Sequence, residues 1–164
     1  MNKKELLEKH NKLKLQIELV PQGCWFTNVR SNVTKKEWDF IRKHVYIDAG
    51  YRCEICNGVG HKHPLECHEV WSYDIGKKIQ KIEKLQALCP ACHEVKHFGF
   101  AISRGFRQRA LAHFIGINSL ESNEATEIIQ VVFEQWNERC YINWNLNLDI
   151  LKNFNIDISR FKKA

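Results

Sequence analysis

The sequence predicts an α+β domain, and three observations carry that prediction. Apolar residues recur at helical spacing near both ends of the chain. Segments of alternating polarity fall at 65–71, 85–88 and 142–150. Two CxxC pairs, Cys53/Cys56 and Cys89/Cys92, enclose the middle. A length of 164 residues suits a single domain over 1–164, built as a core at 51–104 with extensions at 1–50 and 105–164. Five Trp and nine Phe can anchor its interior.

Taken in order, residues 1–20 open with a charged, helix-prone stretch. Leu13, Leu15, Ile17 and Leu19 then alternate with polar residues, which predicts a short strand. Pro21 and Gly23 break it. Thr34 and Glu37 form a capping-box signature. It opens a helix with the stripe Trp38, Ile41, Val45 and Ala49, ended by Gly50. Lys35, Lys36, Arg42 and Lys43 occupy its other faces. Residues 65–71 have strand character, an excursion follows at 72–84, and 85–88 reads as an antiparallel return strand. Pro90 suits the first position of a helix with the stripe Val95, Phe98 and Ile102. Residues 106–115 predict a short helix, and 121–141 a longer one with Ile129, Val132, Phe133, Trp136 and Cys140 inward. Ile142, Trp144, Leu146, Leu148 and Ile150 predict a closing strand. The basic tail at 160–164 is expected to fray.

Composition narrows the setting. No stretch reaches the roughly 20 apolar residues of a membrane span, and the charged first ten residues hold no apolar signal core. A cytoplasmic, non-membrane protein is expected. The formal net charge of +6 suits a polyanionic partner such as nucleic acid. There are seven cysteines, an odd number. In a reducing compartment two CxxC pairs indicate metal binding rather than disulfides. Cys24 and Cys140 read as buried thiols.

The four paired cysteines predict a closed tetrahedral zinc site, structural because no position is left for water. Arg52 and Lys62 are placed to offset its charge. The long segment 57–88 between the pairs carries structure of its own. His93 and His97 are four apart, so a helix sets both imidazoles on one face, where they can share an ion. His68 lies in the segment stapled by the cysteines. Strand, excursion, strand and helix would bring it beside them.

The order CxxC, LExH, LCxxCHxxxH over residues 51–99 resembles the HNH endonucleases. The sub-patterns HEVWxYD and LCPxCHEVKH look like those of phage and bacterial members. The resemblance implies a ββα-metal core holding one divalent ion, with the four cysteines as its zinc-stabilised variant and helices on either side. It implies a metal-dependent enzyme hydrolysing DNA phosphodiesters, from a phage, a mobile element or a defence system. His68, His93 and His97 match metal-binding positions, His97 as the extra helix ligand of colicin-type nucleases.

Two positions depart from the family pattern. With His68 as ligand, Glu69 stands at the general base, and Val70 matches the apolar residue after it. One residue over, His68 would be the base and Cys67 would face the metal. The family Asn position holds Lys84, with Asp74 and Gln80 as substitutes in the excursion.

The catalytic set is thus His68, Glu69 and His93, with Mg(II), Mn(II), Ni(II) or Zn(II) as the ion. Three imidazoles favour a borderline metal over Mg(II). Lys84, Arg104, Arg107 and Arg109 are the expected backbone contacts. One centre cuts one strand, a reason to expect a homodimer. The alternatives are a module of the same fold that binds nucleic acid or protein without cleaving, and a zinc-stabilised interaction domain.

Overall fold

A computed structural model describes residues 1–60 and 64–161. Lys62 and the end of the basic tail, 162–164, lie outside the described residues. The first helix, α1 (Lys3–Lys12), is capped by Asn2 in a reciprocal box with Glu5 and buries Leu6 and His10.

The strand expected at 13–19 does not form. Leu15 and Ile17 are fully buried, as their alternation implied. Their backbone groups are satisfied elsewhere. The Leu15 N–H and C=O are held by the Asn118 side chain at 3.0 and 2.8 Å. The Ile17 N–H donates to His10 Nε2 at 3.0 Å. The Glu18 N–H donates to the Lys96 carbonyl at 2.9 Å. Alternation reports which side chains are buried, and here no strand stands beside the segment to pair with it.

A 3-10 turn (Gln22–Cys24) leads to the single-turn helix α2 (Val29–Asn32), capped by Asn28. Helix α3 (Lys35–Asp48) begins at the expected Thr34–Glu37 box and buries Ile41 and Val45. Gly50 follows at φ 59°, a left-handed turn glycine takes without steric penalty.

The hairpin is longer than the sequence suggested. Strand β1 (Glu66–Asp74) pairs antiparallel with β2 (Ile79–Leu88), so most of the expected excursion is ladder and only a tight turn remains. Asp74 Oδ1 closes that turn by accepting the Lys77 N–H at 2.9 Å. The register shifts between Val70 and Trp71, a bulge that leaves Glu83 without an opposite residue. A short third strand, β3 (Asn145–Asn147), runs parallel to β2 on its other side. The closing strand is therefore shorter than expected. At Asp149 the chain turns into a 3-10 helix (Asp149–Phe154) that buries Leu151.

Helix α4 (Pro90–Lys96) starts with Pro90 at its first turn, as expected. It ends at His97, whose backbone (φ −96°, ψ 45°) leaves the helical region. A separate helix α5 (Phe98–Ser103) follows, so the expected single stripe is broken. Val95, Phe98 and Ala101 are buried while Ile102 is exposed. Helices α6 (Arg107–Asn118) and α7 (Ser122–Cys140) complete the element order, before a last 3-10 turn (Ile158–Arg160). One apolar core cluster gathers residues from Leu6 to Ile156, with Phe98, Phe114 and Leu15 among its fully buried side chains. No helix among the described residues is long and apolar enough to cross a membrane.

Candidate metal centres

Cys53, Cys56, Cys89 and Cys92 bring their sulfurs within 4.8 Å of one another, a cluster that can hold a metal ion. The first knuckle is a tight turn. The Asn57 N–H donates to the Cys53 carbonyl at 2.8 Å, with Asn57 at φ 62°. Glu54 stitches that knuckle to β2: its N–H donates to the Ala87 carbonyl at 3.0 Å, and its carboxylate accepts the Ala87 N–H at 2.6 Å. The second pair sits at the start of α4, Cys89 as N-cap and Cys92 in its first turn. Arg52 donates to the Asn57 carbonyl at 3.1 Å, bracing the turn.

The thiols of this cluster oppose one another's ionisation. The hydrogen bond with Cys53, and then burial, push Cys92 up, while the same bond holds Cys53 down. Burial pushes Cys89 up. A bound cation removes that conflict by stabilising all four thiolates together, so the donor set fits a metal. His113, from α6, sets its Nε2 3.2 Å from Cys92 Sγ, a contact the sequence did not suggest.

The second group is His68, His93 and His97, each offering a ring nitrogen within 4.8 Å of the others. The three rings meet edge to face, with centroids 5.4, 5.0 and 4.5 Å apart. His68 projects from β1 and is 2% exposed. His93 lies in α4 and His97 caps its C-terminal end, joined by a His97 N–H to His93 carbonyl bond of 3.1 Å. Cys67 is not in the group among the described residues.

Two carboxylates orient the rings. His68 Nε2 lies 2.8 Å from Glu18 Oε2. Burial alone would raise the Glu18 carboxyl, but the His68 hydrogen bond and the Lys96 charge take it down to about 2. Glu18 is therefore an acceptor only, and His68 Nε2 must carry the proton. Burial lowers His68 itself, so its ring is neutral and Nδ1 holds a lone pair. That Nδ1 is buried and has no hydrogen-bond partner among the described residues. A buried lone pair without a donor is a fit for a metal ion.

Glu66 Oε2 stands 2.5 Å from His93 Nδ1, which leaves Nε2 as that ring's ligand atom. Burial, and then the neighbouring imidazoles, lower His97 to about 3, so it too is neutral. Lys96, 5% exposed at its side chain, completes the second layer with an ion pair to Glu18 of 2.6 Å.

The sequence reading missed both carboxylates. Glu66 was findable, because residues two apart on a strand share a face. Glu18 was not, since it arrives from a remote segment docked on the free carbonyl end of α4.

The triad opens into a cleft of about 730 Å³. Glu69 lies on its wall, yet both its oxygens are engaged. Oε2 accepts the Val29 N–H at 3.2 Å and Oε1 the Arg30 N–H at 3.3 Å. Burial raises it to about 7 despite those bonds. It orients none of the histidines; Glu18 and Glu66 do.

Lys84 lines a separate groove with Phe40, His44 and Glu54, and Asp74 and Gln80 also stand outside the triad's cleft. Gln80 is buried against the Tyr73 hydroxyl, at 3.4 Å. Arg109 is held by Glu94 at 2.6 Å and stacks on Phe106 at 3.6 Å. Arg104 sits 6.0 Å from the Phe100 ring, and Arg107 is exposed. Among the described residues, the arginine that lines the cleft is Arg30, exposed and not singled out from sequence. Comparison with protein-family models, with curated proteins and with solved structures returns no match.

Proposed function

We propose that this chain is a metal-dependent endonuclease of the HNH kind, hydrolysing phosphodiester bonds in DNA. The observation that carries the reading is the His68–His93–His97 triad. Three imidazoles converge from a hairpin strand and the helix that follows it, two of them fixed by carboxylates, on the wall of an open cleft. In this reading the four cysteines hold a structural Zn(II), since a closed thiolate set leaves no open position. The three histidines hold a divalent ion. Their chemistry suits Zn(II), Ni(II) or Mn(II) better than Mg(II).

When bound, that ion supplies Lewis acidity against the negative charge that builds on the phosphoryl oxygens and the leaving oxygen. The chain's own groups do the rest. Glu18 and Glu66 hold the rings in one tautomer and raise their basicity as ligands. Glu69, raised to about 7, is suited to accept the proton of the attacking water near neutral pH. Glu69 takes a proton from the water as its oxygen bonds to phosphorus, and the phosphorus–oxygen bond to the leaving strand breaks with its electron pair on the leaving oxygen, which takes a proton from solvent. Arg30, exposed on the cleft, is the backbone contact.

A second reading, a binding module of the same fold without catalysis, is favoured by two observations. Glu69 already accepts two backbone N–H groups, and Lys84 lies outside the cleft. Supercoiled plasmid separates the two readings. The enzyme predicts divalent-dependent nicking, abolished by chelation and by His93→Ala. Binding without nicking at any metal would leave only the module.

A further inference from the structure

The cleft beside the triad is not the surface a duplex backbone needs. Trp25, Trp38, Trp71, Phe100, Phe133 and Trp136 all line it. Two of these indoles are fixed by one atom. Trp25 Nε1 and Trp136 Nε1 both donate to the Val20 carbonyl, each at 2.9 Å. A hydrogen bond at the ring edge holds the ring while leaving its faces for contact. Trp25 is 51% exposed and Phe100 67% exposed, although large aromatic side chains normally shed water.

A phosphodiester brought to the triad carries a sugar and a base with it. In a duplex that base is stacked and paired, and offers no face to an aromatic wall. An unpaired base does, and stacking on aromatic side chains is how proteins hold single strands with little regard to sequence. Arg30, an exposed residue lining the same cleft, carries the charge that complements the backbone joining such bases.

Resting on the nuclease reading for what occupies the triad, we infer that the aromatic cleft is a stacking site for an unpaired nucleobase. The preferred substrate is then single-stranded or locally opened DNA, with the phosphate beside the bound base delivered to the histidines. Trp25 and Phe100 are the outer stacking residues, and Trp136 is the inner, fixed wall.

Two measurements run in parallel on the full chain. In a His93→Ala background, which stops cleavage, fluorescence anisotropy compares a labelled oligothymidine with a duplex of the same length. Wild-type protein is assayed separately for plasmid nicking. The inference predicts that the single strand binds at least tenfold more tightly than the duplex. Trp25→Ala and Phe100→Ala should each weaken it by roughly tenfold. Trp25→Phe, which keeps a stacking face, should restore most of the loss, so a general packing defect is distinguished.

Equal or tighter duplex binding, or no effect of either alanine variant, overturns the stacking site. Nicking that persists in that case leaves the nuclease reading standing. Single-strand binding that depends on Trp25 without any nicking does the reverse, removing the nuclease and keeping the site.

Discussion

Glu18 and His68, fifty residues apart in sequence, meet at 2.8 Å and fix which nitrogen of the imidazole is free. The carboxylate accepts from Nε2–H, and the buried Nδ1 is left without a partner among the described residues. Glu66 does the same for His93 from the other side, at 2.5 Å. Each pair turns a ring that could present either nitrogen into one that presents a chosen lone pair.

Removing an orienting carboxylate should therefore weaken the triad and spare the cysteine cluster. Glu66→Gln is expected to lower divalent-ion affinity at the histidines by roughly 10–100-fold, the usual effect of losing such a partner. Competition titration against a chromophoric chelator reads this directly, and metal bound by the cysteines should be unchanged.

Glu18 has a second duty, because it neutralises Lys96, whose side chain is 5% exposed. Glu18→Ala leaves a buried ammonium unpaired. That change should destabilise the fold by about 3–5 kcal/mol. Urea denaturation should find most of that loss recovered in Glu18→Leu combined with Lys96→Met, where neither charge remains.

His10 predicts an acid limb of the stability curve. It accepts the Ile17 N–H through Nε2, and burial lowers it from 6.5 to about 4. The unfolded chain binds the proton more readily between those values. The stabilisation is therefore complete above about pH 6.5 and is lost as pH falls toward 4. Between pH 7 and 5 the loss should be about 2 kcal/mol. His10→Gln should remove that part of the slope in denaturant titrations, while the contribution of the metal ligands remains in both proteins.

The positions that could be read from sequence are those whose chemistry is local. Two CxxC turns and an HxxxH pair bring their own geometry, so the cysteine cluster and the convergence of His68, His93 and His97 could be anticipated. Thr34 and Glu37 marked a helix start for the same reason, since a capping box closes within four residues.

What failed was non-local. The alternation of Leu13 to Leu19 predicts a strand, but Asn118, His10 and Lys96, from three different helices or their ends, satisfy its backbone. Glu18 belongs to that segment, and its role was hidden with it. Lys84 stands at the family Asn position only by analogy with the motif. It pairs with Val70 across the hairpin, one residue beyond the partner of Glu69, and lines the groove beside Phe40 rather than the triad's cleft.

The central claim is that one chain carries two metal centres of different kind, one closed by sulfur and one built from oriented imidazoles. Anomalous diffraction from crystals grown with Zn(II), on the wild-type chain and on His93→Ala, tests it most directly. Two peaks are expected in the wild type, one among Cys53, Cys56, Cys89 and Cys92 and one among His68, His93 and His97, with only the first retained in the variant. A single peak in the wild type at saturating metal, or a second peak that survives His93→Ala, would contradict the account.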